Sequence, residues 1–214
     1  MSHWKKKNNR RGRGAFAVSP AFLLLLVAFS LLDRQPLLTH ILLAAALHEC
    51  AHVSMLYLVG GKIDFFRITL FGAELRISHS ERLSYGREIL SVLAGPGANL
   101  VCALVLSRLA EASAWDRGYM IAGIHGALAL FNLLPVRPLD GGRMVHLLLC
   151  WVMEPITAER FMHIWDCAFL CAAVFFASLL HGMAGPQMPL LLLQIWFVLC
   201  WCTETGIVKP ELTR

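Results

Sequence analysis

His48-Glu49-Cys50-Ala51-His52 lies midway along an apolar run, residues 37–59. Two histidines four apart share one face of a helix, one turn from each other. With a glutamate directly after the first, a helix offers two imidazoles to one metal ion and a carboxylate to its water. The run is also long enough to span a bilayer. Ionisable groups inside such a segment are costly, and they mark functional sites by default. This stretch therefore predicts a membrane helix that carries a metal site.

The rest of the composition agrees. Hydrophobic residues make up 57% of the 214, and only 15% are charged, against about 25% in an ordinary soluble domain. Mean hydropathy is +0.63. Several runs approach or exceed the roughly 20 residues that a spanning helix needs, whereas an apolar soluble domain should have shorter ones. The net charge of +5 does not point to nucleic acid. Lys5, Lys6, Lys7, Arg10, Arg11 and Arg13 all precede the first apolar run, as in a cytoplasmic anchor. Seven cysteines, an odd number with no C-x-x-C, fall mostly in apolar runs. They read as reduced thiols acting as small hydrophobes.

In chain order, residues 1–14 form a basic cytoplasmic tail and 15–205 a single membrane domain. Its spans are expected at about 15–32, 37–59, 88–110, 118–135, 161–181 and 190–203, with a short helix over 144–151 and a tail at 206–214. No small-residue cleavage site follows the first run, so an uncleaved span is expected rather than a signal peptide. Residues 62–78 mix β-branched and aromatic residues with charges, partly alternating, and Gly72 offers a turn. They read as a β-hairpin at the membrane surface. Its edge, represented by Ile68, is a candidate to accept an extended peptide as an added strand.

Charge orients the whole. With the N-terminus inside, the inner segments hold 16 Lys/Arg and the outer ones only Arg34, Arg108 and Arg117. That asymmetry puts both termini and the hairpin on the cytoplasmic side. The expected fold is thus an all-α polytopic membrane protein of about six transmembrane helices with a small cytoplasmic-side β-hairpin.

A catalytic zinc takes about three protein ligands and keeps one open position. His48 and His52 supply two. Among the five aspartates, Asp140 alone sits at a Pro/Gly-shaped bend beside a span, within Asn132-Leu133-Leu134-Pro135-Val136-Arg137-Pro138-Leu139-Asp140-Gly141-Gly142. It is the expected third ligand. Glu49 is expected to take a proton from water and pass it to a leaving amine. The reaction so predicted is peptide-bond hydrolysis. Asn132 is a candidate donor to substrate or to a developing oxyanion. Asn99, in the middle of the third span after Gly95-Pro96, is a candidate to line the site.

These motifs carry a resemblance. His48-Glu49-x-x-His52, the mid-span Gly95-Pro96, Phe131-Asn132-Leu133-Leu134-Pro135 and Leu139-Asp140-Gly141-Gly142 resemble the site-2 protease family of intramembrane zinc metalloproteases. Within it they are most similar to the stage IV sporulation protein FB branch of six-span members. The likeness runs over essentially residues 15–205. It implies zinc on His48, His52 and Asp140, Glu49 as acid/base, and cleavage of a membrane-associated protein substrate within or near the bilayer. In the sporulation branch the substrate is a sigma-factor precursor on the mother-cell side, and membrane partner proteins hold the enzyme in check. The location implied is a bacterial cytoplasmic membrane. That branch usually continues into a nucleotide-binding CBS domain, which these residues lack, so ATP sensing through one is not expected; nor is there a PDZ domain. Two rival readings are a non-catalytic relative that binds zinc or partners, and a small-solute transporter supported only by buried polar groups.

Overall fold

The computed structural model describes residues 15–18, 27, 37–69, 72–78, 83–184, 195 and 198. Five helices carry most of them: α1 (Leu37–Leu58), α2 (Tyr85–Ser113), α3 (Asp116–Asn132), α4 (Asp140–Val152) and α5 (Pro155–Ala184). Three strands complete the order, β1 (Ala15–Val18), β2 (Lys62–Thr69) and β3 (Gly72–Ser78).

Among the described residues, three helices are long and apolar enough to cross a membrane: Leu37–Leu58, Tyr85–Ser113 and Pro155–Leu179. α3 has 17 residues, about 26 Å at 1.5 Å per residue, a little short of a hydrocarbon core of about 30 Å. Where the sequence predicts the start of a first span, Ala15–Val18 is instead a strand hydrogen-bonded to β2. The remainder of that span, apart from Val27, lies outside the described residues, as does the predicted sixth span apart from Ile195 and Val198.

Each helix buries one narrow stripe and leaves an apolar face outward. On α1 the buried residues Ala44, His48 and Leu56 recur at multiples of four, the spacing of one helix face. Leu43 and Leu58 on the same helix are exposed. α2 buries Val92, Gly95, Pro96 and Asn99; α3 buries Gly118, Ala122, His125 and Ala129. The buried stripes of α1, α2 and α3 are mostly small or polar and the exposed faces are largely apolar. This is the pattern of helices whose outer solvent is lipid and whose close approach depends on small residues. α2 is the hub, packed against α1, α3 and α4.

The strands form one sheet in the order β1-β2-β3, with β1 parallel and β3 antiparallel to β2. β2 is therefore central. Ile68 pairs with Val18 on one side and with Ala73 on the other. Its backbone is not on a free edge, which corrects the expectation that Ile68 accepts an added strand. The outer sides of β1 and β3 are the edges left unpaired among the described residues.

α3 ends at Asn132, and a tight segment, residues 133–139, leads into α4. Val136 N–H bonds the Leu134 carbonyl at 2.8 Å and Leu139 N–H bonds the Val136 carbonyl at 3.0 Å. Val136 and Leu139 are buried and packed with Phe131, Leu134, Phe169 and Leu170. Glycine is required where α4 begins. A Cβ on Gly141 would strike the Leu133 and Leu134 backbone, and one on Gly142 the Val136 and Arg137 backbone. The bend and the first turn of α4 are thus in backbone contact, which fixes where Asp140 stands.

Candidate metal centre

α1 brings His48 and His52 to its inner face, and the first residue of α4 brings Asp140 to meet them. The three ligating atoms converge. Asp140 Oδ2 lies 2.9 Å from His48 Nε2 and 3.1 Å from His52 Nε2. The two Nε2 atoms are 3.0 Å apart. Among the described residues this is the one group of three or more His, Cys, Asp or Glu able to hold a metal ion.

The donor set fits zinc. Bonds of about 2.0–2.1 Å in a tetrahedral site place ligand atoms about 3.3 Å apart. The observed triangle is only slightly smaller, so small outward movements admit an ion. Two imidazoles and one carboxylate are also a ligand set that catalytic zinc uses. Burial alone would raise the Asp140 pKa, but in the metal-free site the neighbouring His48 and His52 imidazoles, when they carry the proton, outweigh it and hold the carboxyl at about 2. Asp140 is therefore an anion at neutral pH.

The far sides of both imidazoles are held. His52 Nδ1 donates to the Ser91 carbonyl on α2 at 2.8 Å. In the neutral ring that bond fixes the hydrogen on Nδ1 and leaves the Nε2 lone pair for an ion between it, Asp140 and His48. His48 Nδ1 lies 3.1 Å from Asn99 Nδ2, and Asn99 Oδ1 lies 3.0 Å from His125 Nδ1. Asn99 is 0% exposed, so it stands behind His48 rather than facing a substrate. His125 is buried as well. Sequence reading found no role for it, because its link to His48 runs through a residue on a third helix.

Gly95 on α2 faces the two histidines so closely that a Cβ would lie 2.8 Å from His48 Nε2 and closer still to His52 Nε2. Pro96 follows and supplies no N–H for the Val92 carbonyl. Glu49 is half-buried and makes no hydrogen bond or ion pair among the described residues. Asn132, at the end of α3, donates from Nδ2 to the Leu128 carbonyl at 2.9 Å. Its second amide hydrogen remains for another acceptor. His146 is not at the metal group; its Nε2 is 3.1 Å from Glu159 Oε2.

Comparison with known proteins adds two findings. Residues 105–176, about a third of the chain, match Peptidase family M50, and this segment contains Asn132 and Asp140. Comparison with curated proteins gives no match. Among solved structures, the fold is similar to the site-2 protease from Methanocaldococcus jannaschii, with a TM-score of 0.66 and 19% identity, covering 89% of each chain. The chain thus has the fold of that site-2 protease over 89% of its length, with a Peptidase family M50 match over the segment that supplies Asp140.

Proposed function

We propose that the protein is an intramembrane zinc endopeptidase. The observation that carries this reading is the convergence of His48, His52 and Asp140 within 3.1 Å, across 92 and 88 residues of sequence, beside Glu49 and inside apolar helices. Zinc held by His48 Nε2, His52 Nε2 and Asp140 Oδ2 would supply a Lewis acid for the scissile carbonyl and bring a water's pKa to near 7. Glu49 takes the proton from the attacking water and delivers it to the leaving amine. Asn132 uses its second amide hydrogen to orient the substrate backbone or the developing oxyanion.

The histidine network must have one polarity for this. His48 can offer the Nε2 lone pair only if Nδ1 carries the hydrogen. The Asn99 amide must then turn end for end from its orientation in the structure, so that Oδ1 accepts from His48 Nδ1 and Nδ2 donates to His125 Nδ1. Asn99→Leu removes the acceptor and is expected to lower zinc affinity about ten- to a hundred-fold. Asn99→Asp still accepts and should lose less. Equal affinities in a chelator competition would remove Asn99 from the metal's support.

The substrate is a membrane-associated protein that enters or approaches the bilayer as an extended segment. The unpaired edges of β3 and β1 suit strand addition better than β2, whose two sides are taken. Charge distribution supports a bacterial cytoplasmic membrane with the sheet on the inner side. The resemblance to stage IV sporulation protein FB makes a sigma-factor precursor the first substrate to try, with inhibitory membrane partners as the regulators to seek.

Zinc content tests the reading directly. Full-length protein purified in detergent should hold one zinc per chain by elemental mass spectrometry. Asp140→Asn, which keeps the shape but loses the charge, should weaken that binding at least about tenfold. A wild-type chain without zinc would overturn the proposal.

A further inference from the structure

Asp166 is the least expected charge in the molecule. It lies within α5, in the apolar stretch Pro155–Leu179, and is 2% exposed. A carboxylate so placed is tolerable only if it is paired and hydrogen-bonded. Its partner is Arg137, in the bend between α3 and α4. Asp166 Oδ2 accepts from Arg137 Nε at 2.7 Å, and Oδ1 accepts from the Arg137 backbone N–H at 3.2 Å. One carboxylate therefore grips both the side chain and the main chain of the same residue, three positions before Asp140.

Further contacts fix the same bend to the same helix. Arg137 Nη1 donates to Glu159 Oε1 at 2.6 Å, and Trp165 Nε1 donates to the Pro135 carbonyl at 2.6 Å. Phe169 and Leu170 of α5 pack on Val136 and Leu139. Glu159 also meets His146 of α4 at 3.1 Å and His163 at 3.3 Å. Burial alone would lower the Arg137 pKa, but Glu159 and Asp166 more than reverse this and hold it above the ordinary arginine value. The guanidinium stays charged.

We propose that Asp166 and Arg137 are positioning residues for the metal centre: they clamp the bend to α5, so that Asp140 stands where His48 and His52 meet it. The proposal rests on the zinc reading above. Gly141 and Gly142 transmit the clamp, because their backbone lies directly under residues 133–137. A bend freed from α5 lets Asp140 leave the two histidines, and the site falls back to two ligands. Glu159 has a smaller part. Its side chain is 43% exposed and holds only one arm of Arg137.

The test is zinc affinity of the purified full-length protein, by competition with a chelating dye, alongside the melting temperature of the metal-free protein. Asp166→Asn and Arg137→Lys should each lower zinc affinity about ten- to a hundred-fold, and Glu159→Gln by less than about threefold. A merely structural pair would lower the melting temperature and leave the affinity of folded protein unchanged; that result overturns the proposal. Should Asp166→Asn fail to fold, Arg137→Lys decides, since lysine keeps the charge but cannot hold both carboxylates with a planar fork. A wild type that binds no zinc would sink the metalloprotease reading and this inference with it. Unchanged variants of a zinc-binding wild type would sink this inference alone.

Discussion

Glu49→Gln is expected to retain one zinc per chain and to lose proteolysis by about a hundred- to ten-thousand-fold, the range over which a positioned general base contributes. Glutamine has nearly the same volume and shape as glutamate, so α1 and its buried stripe should be undisturbed. The metal group does not include Glu49, so zinc content should not fall. Only the ability to accept a proton is lost. Co-expression with a membrane-tethered precursor, followed by mass spectrometry of the products, reads the outcome. Cleavage at the wild-type rate would move the acid/base role to another group. Loss of zinc with loss of cleavage would instead mean that Glu49 supports the site structurally.

Much of this site was legible because its strongest signals are local. His48, Glu49 and His52 lie within one helical turn, and their spacing alone puts the imidazoles together. Asp140 could be picked out by its setting, a bend with Pro135, Pro138, Gly141 and Gly142 around it. The same logic failed where a residue's meaning depends on a distant partner. Asp166 has no local feature to mark it, because Arg137 is 29 residues away and on another element. Asn99 looked like a residue that lines the site, yet its burial behind His48 is a consequence of how α1, α2 and α3 pack. Likewise Ile68 sits in a stretch with strand character, but which edge is free depends on Ala15–Val18 joining β2 rather than opening a helix. An apolar run of that kind satisfies both a span and a strand by composition, and only pairing across 50 residues separates the two.

Gly95→Ala should cripple the metal site while leaving the protein folded. The added Cβ would lie 2.8 Å from His48 Nε2 and 2.6 Å from His52 Cε1, with His52 Nε2 nearer still. Contacts under about 3 Å force something to move, and here each ring is tied by a hydrogen bond on its far side. His52 is tied by Nδ1 to the Ser91 carbonyl, four residues before Gly95 on the same helix, and His48 is backed by Asn99, four residues after it. Retreat of either ring breaks a buried hydrogen bond and pulls Nε2 away from Asp140. Zinc affinity is therefore expected to fall more than about a hundred-fold, the upper end for loss of ligand support. Alanine is the better helix former by about 0.5–1 kcal/mol, which only partly offsets the buried hydrogen bond lost, about 1–3 kcal/mol, so the metal-free protein should stay folded and melt somewhat below wild type. Gly97→Ala is the matched control: it lies two residues along the same helix, and a Cβ there meets nothing within 4 Å. It should gain the same helix propensity and keep its zinc. Equal zinc affinity in Gly95→Ala and Gly97→Ala would mean that the histidines approach the ion from a different side than the one Gly95 leaves open. A lowered melting temperature with zinc retained would make Gly95 a contact for helix assembly alone.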